Sequence, residues 1–215
     1  MSKIILRVSL MFSIALSLSF GFVVPKDSIS LKIGNGKKQM YIAANPQCKY
    51  TRIFFDEAKD TLSEYTVNIF LLKREHLTKS YAMIDYILLG KSNEERVKRF
   101  QDIIHNKSTE YEKMPDYKRF LEKAKIAADL QFEYEEEKEE KHCMEAFMIQ
   151  KEIEKLDANY KFHPENLAEI EKTDKILKTL DATHSPTIFD VEFHIMDWMR
   201  LVKSKDQFRA RCVAD

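Results

Sequence analysis

Apolar and polar positions change rhythm three times along the chain, and each change marks a different kind of element. Residues 28–33 alternate between the two classes, Gly34-Asn35-Gly36 supplies a turn that tolerates positive φ, and 39–44 is an apolar run. Alternation, turn and run together predict a hairpin leading into a buried strand. Asn45-Pro46-Gln47 breaks the run, after which Tyr50, Ile53, Phe54, Ala58 and Leu62 recur at helical spacing, so a helix is expected to open close to Cys48. A second apolar run over 66–72, rich in β-branched and aromatic side chains, completes a strand, helix, strand unit. Such a unit implies parallel pairing and a right-handed crossover.

From about residue 77 to 156 the rhythm is helical almost throughout. Gly90 ends one helix, and Ser92 with Glu95 forms a capping box for the next, which carries Val97, Phe100, Ile103 and Ile104 on one face. A third stretch runs from Asp116 to Pro164 without Gly or Pro, too long for an ordinary globular helix. It predicts either a break near the acidic run 133–140 or a helix that projects from the body, with the acidic run as a solvated face. Mixed structure then returns. His163 and Pro164 open a helix whose buried side is expected to carry Leu167, Ile170, Ile176, Leu177 and Leu180. Ser185-Pro186 introduces a strand over 187–189, residues 190–192 turn, 193–196 reads as strand, and a terminal helix is expected to start at 198–202. The fold class is therefore α/β, a sandwich in which a large all-helical segment separates two parts of one sheet.

The first segment has another purpose. Lys3 and Arg7 precede an apolar run over 8–24 that ends at Pro25-Lys26, the layout of a secretory signal peptide, with an uncleaved anchor as the alternative. No Cys follows the run closely, which argues against a lipoprotein. Export places Cys48, Cys143 and Cys212 in an oxidising compartment. The 35 basic and 35 acidic residues cancel, so no one-sided field favours nucleic acid. Six His and three Cys show no metal-ligand spacing, and neither a Gly-rich phosphate loop nor a Ser nucleophile elbow occurs. No cofactor or metal is expected.

Two segments, Ala43-Ala44-Asn45-Pro46-Gln47-Cys48-Lys49-Tyr50-Thr51 and His184-Ser185-Pro186-Thr187-Ile188-Phe189-Asp190, resemble the two halves of a thioredoxin-family active site. The resemblance is to the periplasmic thiol:disulfide interchange (Dsb) proteins. There a strand ends in Asp-Pro-x-Cys-x-Tyr-Cys, a helical insertion follows, and the chain returns through Thr-Pro or Val-Pro with a cis peptide bond. It implies a thioredoxin-like domain over 28–75 and 164–203, a helical insertion over 76–163 and a tail over 204–215, behind a signal at 1–24. It also implies a periplasmic location, a reactive Cys48 assisted by Thr51, and a substrate groove formed by Lys49, Tyr50, Ser185, Pro186 and Thr187, with Pro186 cis. Cysteine-bearing exported polypeptides would be the partners, together with an optional membrane redox partner.

The departures from the family's pattern are as informative. Thr51 stands where the second active-site Cys is expected, giving Cys48-Lys49-Tyr50-Thr51. A thiol at the first turn of a helix faces unpaired N–H groups and the positive end of the dipole, and adjacent Lys49 adds a cation, all of which favour a nucleophilic thiolate. A dithiol enzyme releases itself from a mixed disulfide with its second Cys. Thr51 cannot, so release falls to a substrate thiol, an outside thiol, or Cys143 or Cys212. Alternatively Cys143 and Cys212 form a structural disulfide, which requires their Cα atoms to approach within about 7 Å. The expected activity is monothiol isomerisation or reduction; the alternative is a redox-weakened polypeptide-binding or chaperone-like module using the same groove.

Overall fold

The computed structural model describes residues 28–74, 78–139, 147–152, 156, 159–197 and 200–202. Four strands form one sheet: β1 (Leu31–Ile33), β2 (Lys38–Ala44), β3 (Tyr65–Leu71) and β4 (Thr187–Phe189), in the order β1-β3-β2-β4. Between β2 and β3 lie α1 (Lys49–Glu57) and α2 (Lys59–Leu62). The pairing of β2 with β3 is parallel, with Ile42 opposite Ile69 and Ala44 opposite Leu71. A crossover helix is what that pairing requires.

The sheet is buried on both faces, which explains why β2 and β3 read as continuous apolar runs and not as alternating ones. Period two still sorts their side chains. Met40, Ile42 and Ala44 of β2 and Val67, Ile69 and Leu71 of β3 join one core cluster with Phe54, Ala58 and Leu62. Ala43 and Phe70 face the other way, against Ile176 and Leu177 of the last helix, with Tyr41 packed beside them.

The hairpin expected from residues 28–44 does not form. β1 pairs antiparallel with β3, not with β2, so β3 lies between the two strands that the Gly34-Asn35-Gly36 turn joins. The glycines serve this insertion. A Cβ on Gly36 would stand 2.1 Å from the Glu64 carbonyl carbon and oxygen, and Gly34 adopts φ 74°. The chain entering β3 passes against the turn, and only glycine leaves room for it.

The helical segment follows the sequence closely. α3 (Lys79–Leu88) and α4 (Asn93–Ile104) are joined through Gly90; the Ser92 hydroxyl accepts from Glu95 N, and Lys91 N donates to the Glu95 carboxylate. Phe100, Ile103 and Ile104 are buried in the main core. A 3₁₀ turn (Glu110–Lys113) precedes α5 (Tyr117–Glu139), which is anchored by Phe120 and then carries exposed Ile126 and Phe132. The described helix ends at Glu139, inside the acidic run 133–140 where the sequence allowed either a break or a projecting helix. Residues 140–146 lie outside the described residues, Cys143 among them.

α6 (Pro164–Thr179) has Pro at its first turn and buries Ile170, Ile176 and Leu177. Leu167 was expected on that buried side but is 42% exposed, because Asn166, one position earlier, takes the inward place and donates to Asp85. The strand expected over 193–196 reduces to a single bridge, Ile195 to Phe189. The terminal helix expected from Trp198 falls largely outside the described residues, as do the signal at 1–24 and Cys212.

Candidate functional site

β2 ends where Asn45 and Pro46 turn the backbone away from the sheet. Asn45 is fully buried. Its Nδ2 donates to Leu72 O at 2.9 Å, its Oδ1 accepts from Gln47 N at 2.8 Å, and its own carbonyl accepts from Cys48 N at 3.1 Å. A side chain that mimics a backbone turn in this way fixes the following three residues. Cys48 is thereby placed as N-cap of α1, with extended backbone (φ −71°, ψ 123°) and no cap bond from its side chain.

The segment that meets Cys48 comes from 137 residues further along the chain. The Ser185–Pro186 peptide bond is cis. Cys48 Sγ donates to Ser185 O at 3.2 Å. The Ser185 hydroxyl accepts from Asn45 N at 2.7 Å and shares a hydrogen bond of 2.9 Å with Thr51 Oγ1. Thr51 and Asn45 are both closed to solvent, whereas Cys48 is half-buried. One serine therefore joins the end of β2, the first turn of α1 and the loop entering β4.

The remaining predicted site residues divide. Thr187 is buried and its hydroxyl donates to His184 O at 2.6 Å, which shapes the loop. Tyr50 is exposed beside the sulfur's turn, and the Lys49 ammonium lies 5.3 Å from the Tyr50 ring centroid. The His184 ring pairs with the Thr183 hydroxyl at 3.0 Å. Cys143 and Cys212, named above as a candidate disulfide, lie outside the described residues. Among the described residues no group of three or more His, Cys, Asp or Glu could hold a metal ion, and no helix is long and apolar enough to cross a membrane.

Sequence reasoning missed the second wall of the site. A cleft of about 290 Å³ opens beside Cys48, and its far side is built by the helical segment: Lys79 and Met83 of α3, Ile103 and Ile104 of α4, Asn106 and Tyr111. Lys49 and Arg52 complete it from α1. Helical spacing marked Ile103 and Ile104 as core residues, and nothing in a linear pattern says that they also line a cleft beside a thiol.

No protein-family profile matches the sequence, and no curated protein matches it. Solved structures do. A chain from Pseudomonas syringae, provisionally described as a protein-disulfide isomerase, superposes with TM-score 0.50 at 14% identity, over 86% of this chain and 98% of that one. A conserved protein of unknown function from Enterococcus faecalis V583 gives 0.48 at 17% identity, over 86% and 90%. Proteus mirabilis ScsC, in a transitional conformation, gives 0.44 at 11%, over 96% and 89%. At 14% identity the first likeness is one of fold: an α/β, thioredoxin-like sandwich with a large helical insertion between the helix after β2 and the cis-proline loop.

Proposed function

We propose that this chain is an exported monothiol disulfide-exchange protein, acting on cysteine-bearing polypeptides of the periplasm through Cys48. The observation that carries the reading is the 3.2 Å contact between Cys48 Sγ and the carbonyl of Ser185, across a cis Ser-Pro bond. It brings a half-buried thiol to a helix N-terminus and next to an edge of extended backbone, where a substrate strand can be added. The description of the Pseudomonas syringae structure as a disulfide isomerase points the same way.

The reaction balances with one protein sulfur. Cys48, deprotonated, attacks one sulfur of a substrate disulfide; the new Cys48–substrate bond forms as the old S–S bond breaks, and the departing thiolate takes a proton from water. A second thiol of the same substrate then attacks the mixed disulfide and restores Cys48, with no net change in oxidation state. Reduction follows the same path when an outside thiol attacks instead and supplies the electrons. Thr51 holds the loop through Ser185 and takes no part in release. Its complete burial also favours a second reading, a polypeptide-binding module that keeps the groove without turnover.

The test is refolding of scrambled ribonuclease with the protein and with Cys48→Ser, together with acid-quench trapping of the Cys48 mixed disulfide. Isomerisation lost in Cys48→Ser, with a trapped adduct in the parent protein, is expected. Equal refolding by both proteins and no adduct would overturn the proposal. Suppression of aggregation to the same extent by both would then favour the binding module.

A further inference from the structure

A monothiol enzyme needs a second thiol, and the cleft beside Cys48 has the composition to select one. Three cationic side chains, Lys49, Arg52 and Lys79, stand around it, and no carboxylate lines it. Among the described residues neither Arg52 nor Lys79 has a carboxylate partner. The floor is apolar, with Met83, Ile104 and Tyr111. Gln47 also lines it, and the buried Gln47 Oε1 accepts no hydrogen bond from any described group. A volume of about 290 Å³ holds a molecule the size of a tripeptide and excludes a folded chain. The cis-proline segment is not part of the lining, so the surface suited to an extended polypeptide and this cleft are separate surfaces that share one sulfur.

From these features we infer that the cleft seats a small, carboxylate-bearing thiol, of the γ-glutamyl or cysteinyl peptide kind, that resolves the mixed disulfide at Cys48. The inference rests on the monothiol reading above and adds the class of the resolving partner. The bound thiol loses its proton and its sulfur attacks Cys48 Sγ or the substrate sulfur bonded to it. Attack on the substrate sulfur frees Cys48 and transfers the small thiol to the substrate. Attack on Cys48 frees the substrate as thiol and leaves the small thiol on Cys48, from which a second molecule removes it as the small-molecule disulfide. Two thiols are oxidised for one disulfide reduced. Cationic residues near the sulfur raise the local concentration of an anionic thiol, and the advantage is screened by salt.

The experiment uses the protein with Cys143→Ser and Cys212→Ser, carrying a cysteine peptide in mixed disulfide with Cys48; if that background does not fold, the parent protein is used and the Cys48 peptide is followed by mass spectrometry. Release is timed with glutathione (anionic), 2-mercaptoethanol (neutral) and cysteamine (cationic), each rate corrected for its thiolate fraction. The expected order is glutathione, mercaptoethanol, cysteamine, with about a tenfold preference for glutathione over mercaptoethanol in low salt, saturation in glutathione, and loss of the preference at high ionic strength. In Arg52→Glu with Lys79→Glu the ratio of the two rates falls to about one, whereas Arg52→Lys keeps it. Rates that follow thiol basicity alone, with no saturation and no response to the charge reversals, overturn the inference while leaving disulfide exchange in place. A Cys48 that never forms the mixed disulfide overturns the monothiol reading instead.

Discussion

Ser185 is the residue whose removal tests the site's architecture most directly. Its hydroxyl is the acceptor for Asn45 N, at 2.7 Å, and the partner of Thr51 Oγ1, at 2.9 Å, and both of those residues are sealed from solvent. Ser185→Ala leaves a buried N–H without an acceptor, a loss of about 1–3 kcal/mol, and removes a neutral hydrogen bond worth roughly 0.5–1.5 kcal/mol net. The sum is about 1.5–4.5 kcal/mol. With a urea slope near 2 kcal/mol/M for a protein of this size, the midpoint should fall by about 0.8–2.2 M. The assay is urea unfolding by circular dichroism for the parent, Ser185→Ala, Thr51→Val and the double variant. The double variant should be more stable than the two single losses added together, by about 0.5–1.5 kcal/mol, because the shared bond can be lost only once. An unchanged midpoint for Ser185→Ala, or strictly additive losses, would refute the claim that this hydroxyl binds the three segments together.

Three further outcomes follow from the same structure. Thr51→Cys should confer reduction of insulin by dithiothreitol cycling that the parent lacks, since it restores a second thiol one helical turn from Cys48; no gain of activity would mean that the groove no longer accepts disulfide substrates. Gly36→Ala should destabilise the protein by about 1–3 kcal/mol or more, read as a lower melting temperature, because the new Cβ would meet the Glu64 and Tyr65 backbone and neither strand can yield; an unchanged melting temperature contradicts it. Burial pushes the Asp85 carboxyl above its ordinary value although Asn166, His163 N and Tyr160 donate to it. The native state then holds that proton more tightly than the unfolded chain, and the group's contribution, full below the ordinary carboxylate value, diminishes as pH rises through the native one. Asp85→Asn does not titrate, so the stability gap between parent and variant should narrow from acid to neutral pH in chemical unfolding; a gap that widens would reverse the sign argued here.

Those residues also show what the linear pattern conveys. The apolar runs that became β2 and β3, the Ser92 cap and the proline at the start of α6 are local effects, and each was legible because the residue that causes it lies within a few positions of its consequence. The meeting of Cys48 with Ser185 was legible for a different reason, the resemblance of two short segments to one known active site. The hairpin failed because alternation and a Gly-Asn-Gly turn report that two strands are joined, while their partners are settled by which apolar run is long enough to occupy the middle of the sheet. β3, with seven residues buried or nearly so, wins that place over the three-residue β1. Leu167 failed because polar Asn166 was discounted as an inward residue; its partner, Asp85, is 81 positions away and equally polar. Buried polar pairs of this kind have no periodic signature.

The insertion then has a mechanical meaning beyond covering the sheet. α4 is fastened to β1 by Asn93, whose Oδ1 accepts from Lys32 N at 2.7 Å and whose Nδ2 donates to Lys32 O at 2.8 Å, a side chain standing in for a neighbouring strand along an open edge. Arg96 Nη1 donates to Ser30 O at 3.1 Å and to the Glu169 carboxylate of α6 at 2.9 Å. α3 is joined to the start of α6 through Asp85. These three ties run from the helical segment to β1, to the chain entering it and to the helix on the far face of the sheet, so the wall that faces Cys48 across the cleft is held by the same framework that positions the sulfur. A ligand entering there meets a site already formed, and little ordering cost is charged against its binding. With Thr51 in place of a second active-site cysteine, such a fixed wall would orient a weakly attracted small thiol toward the sulfur and not merely concentrate it nearby.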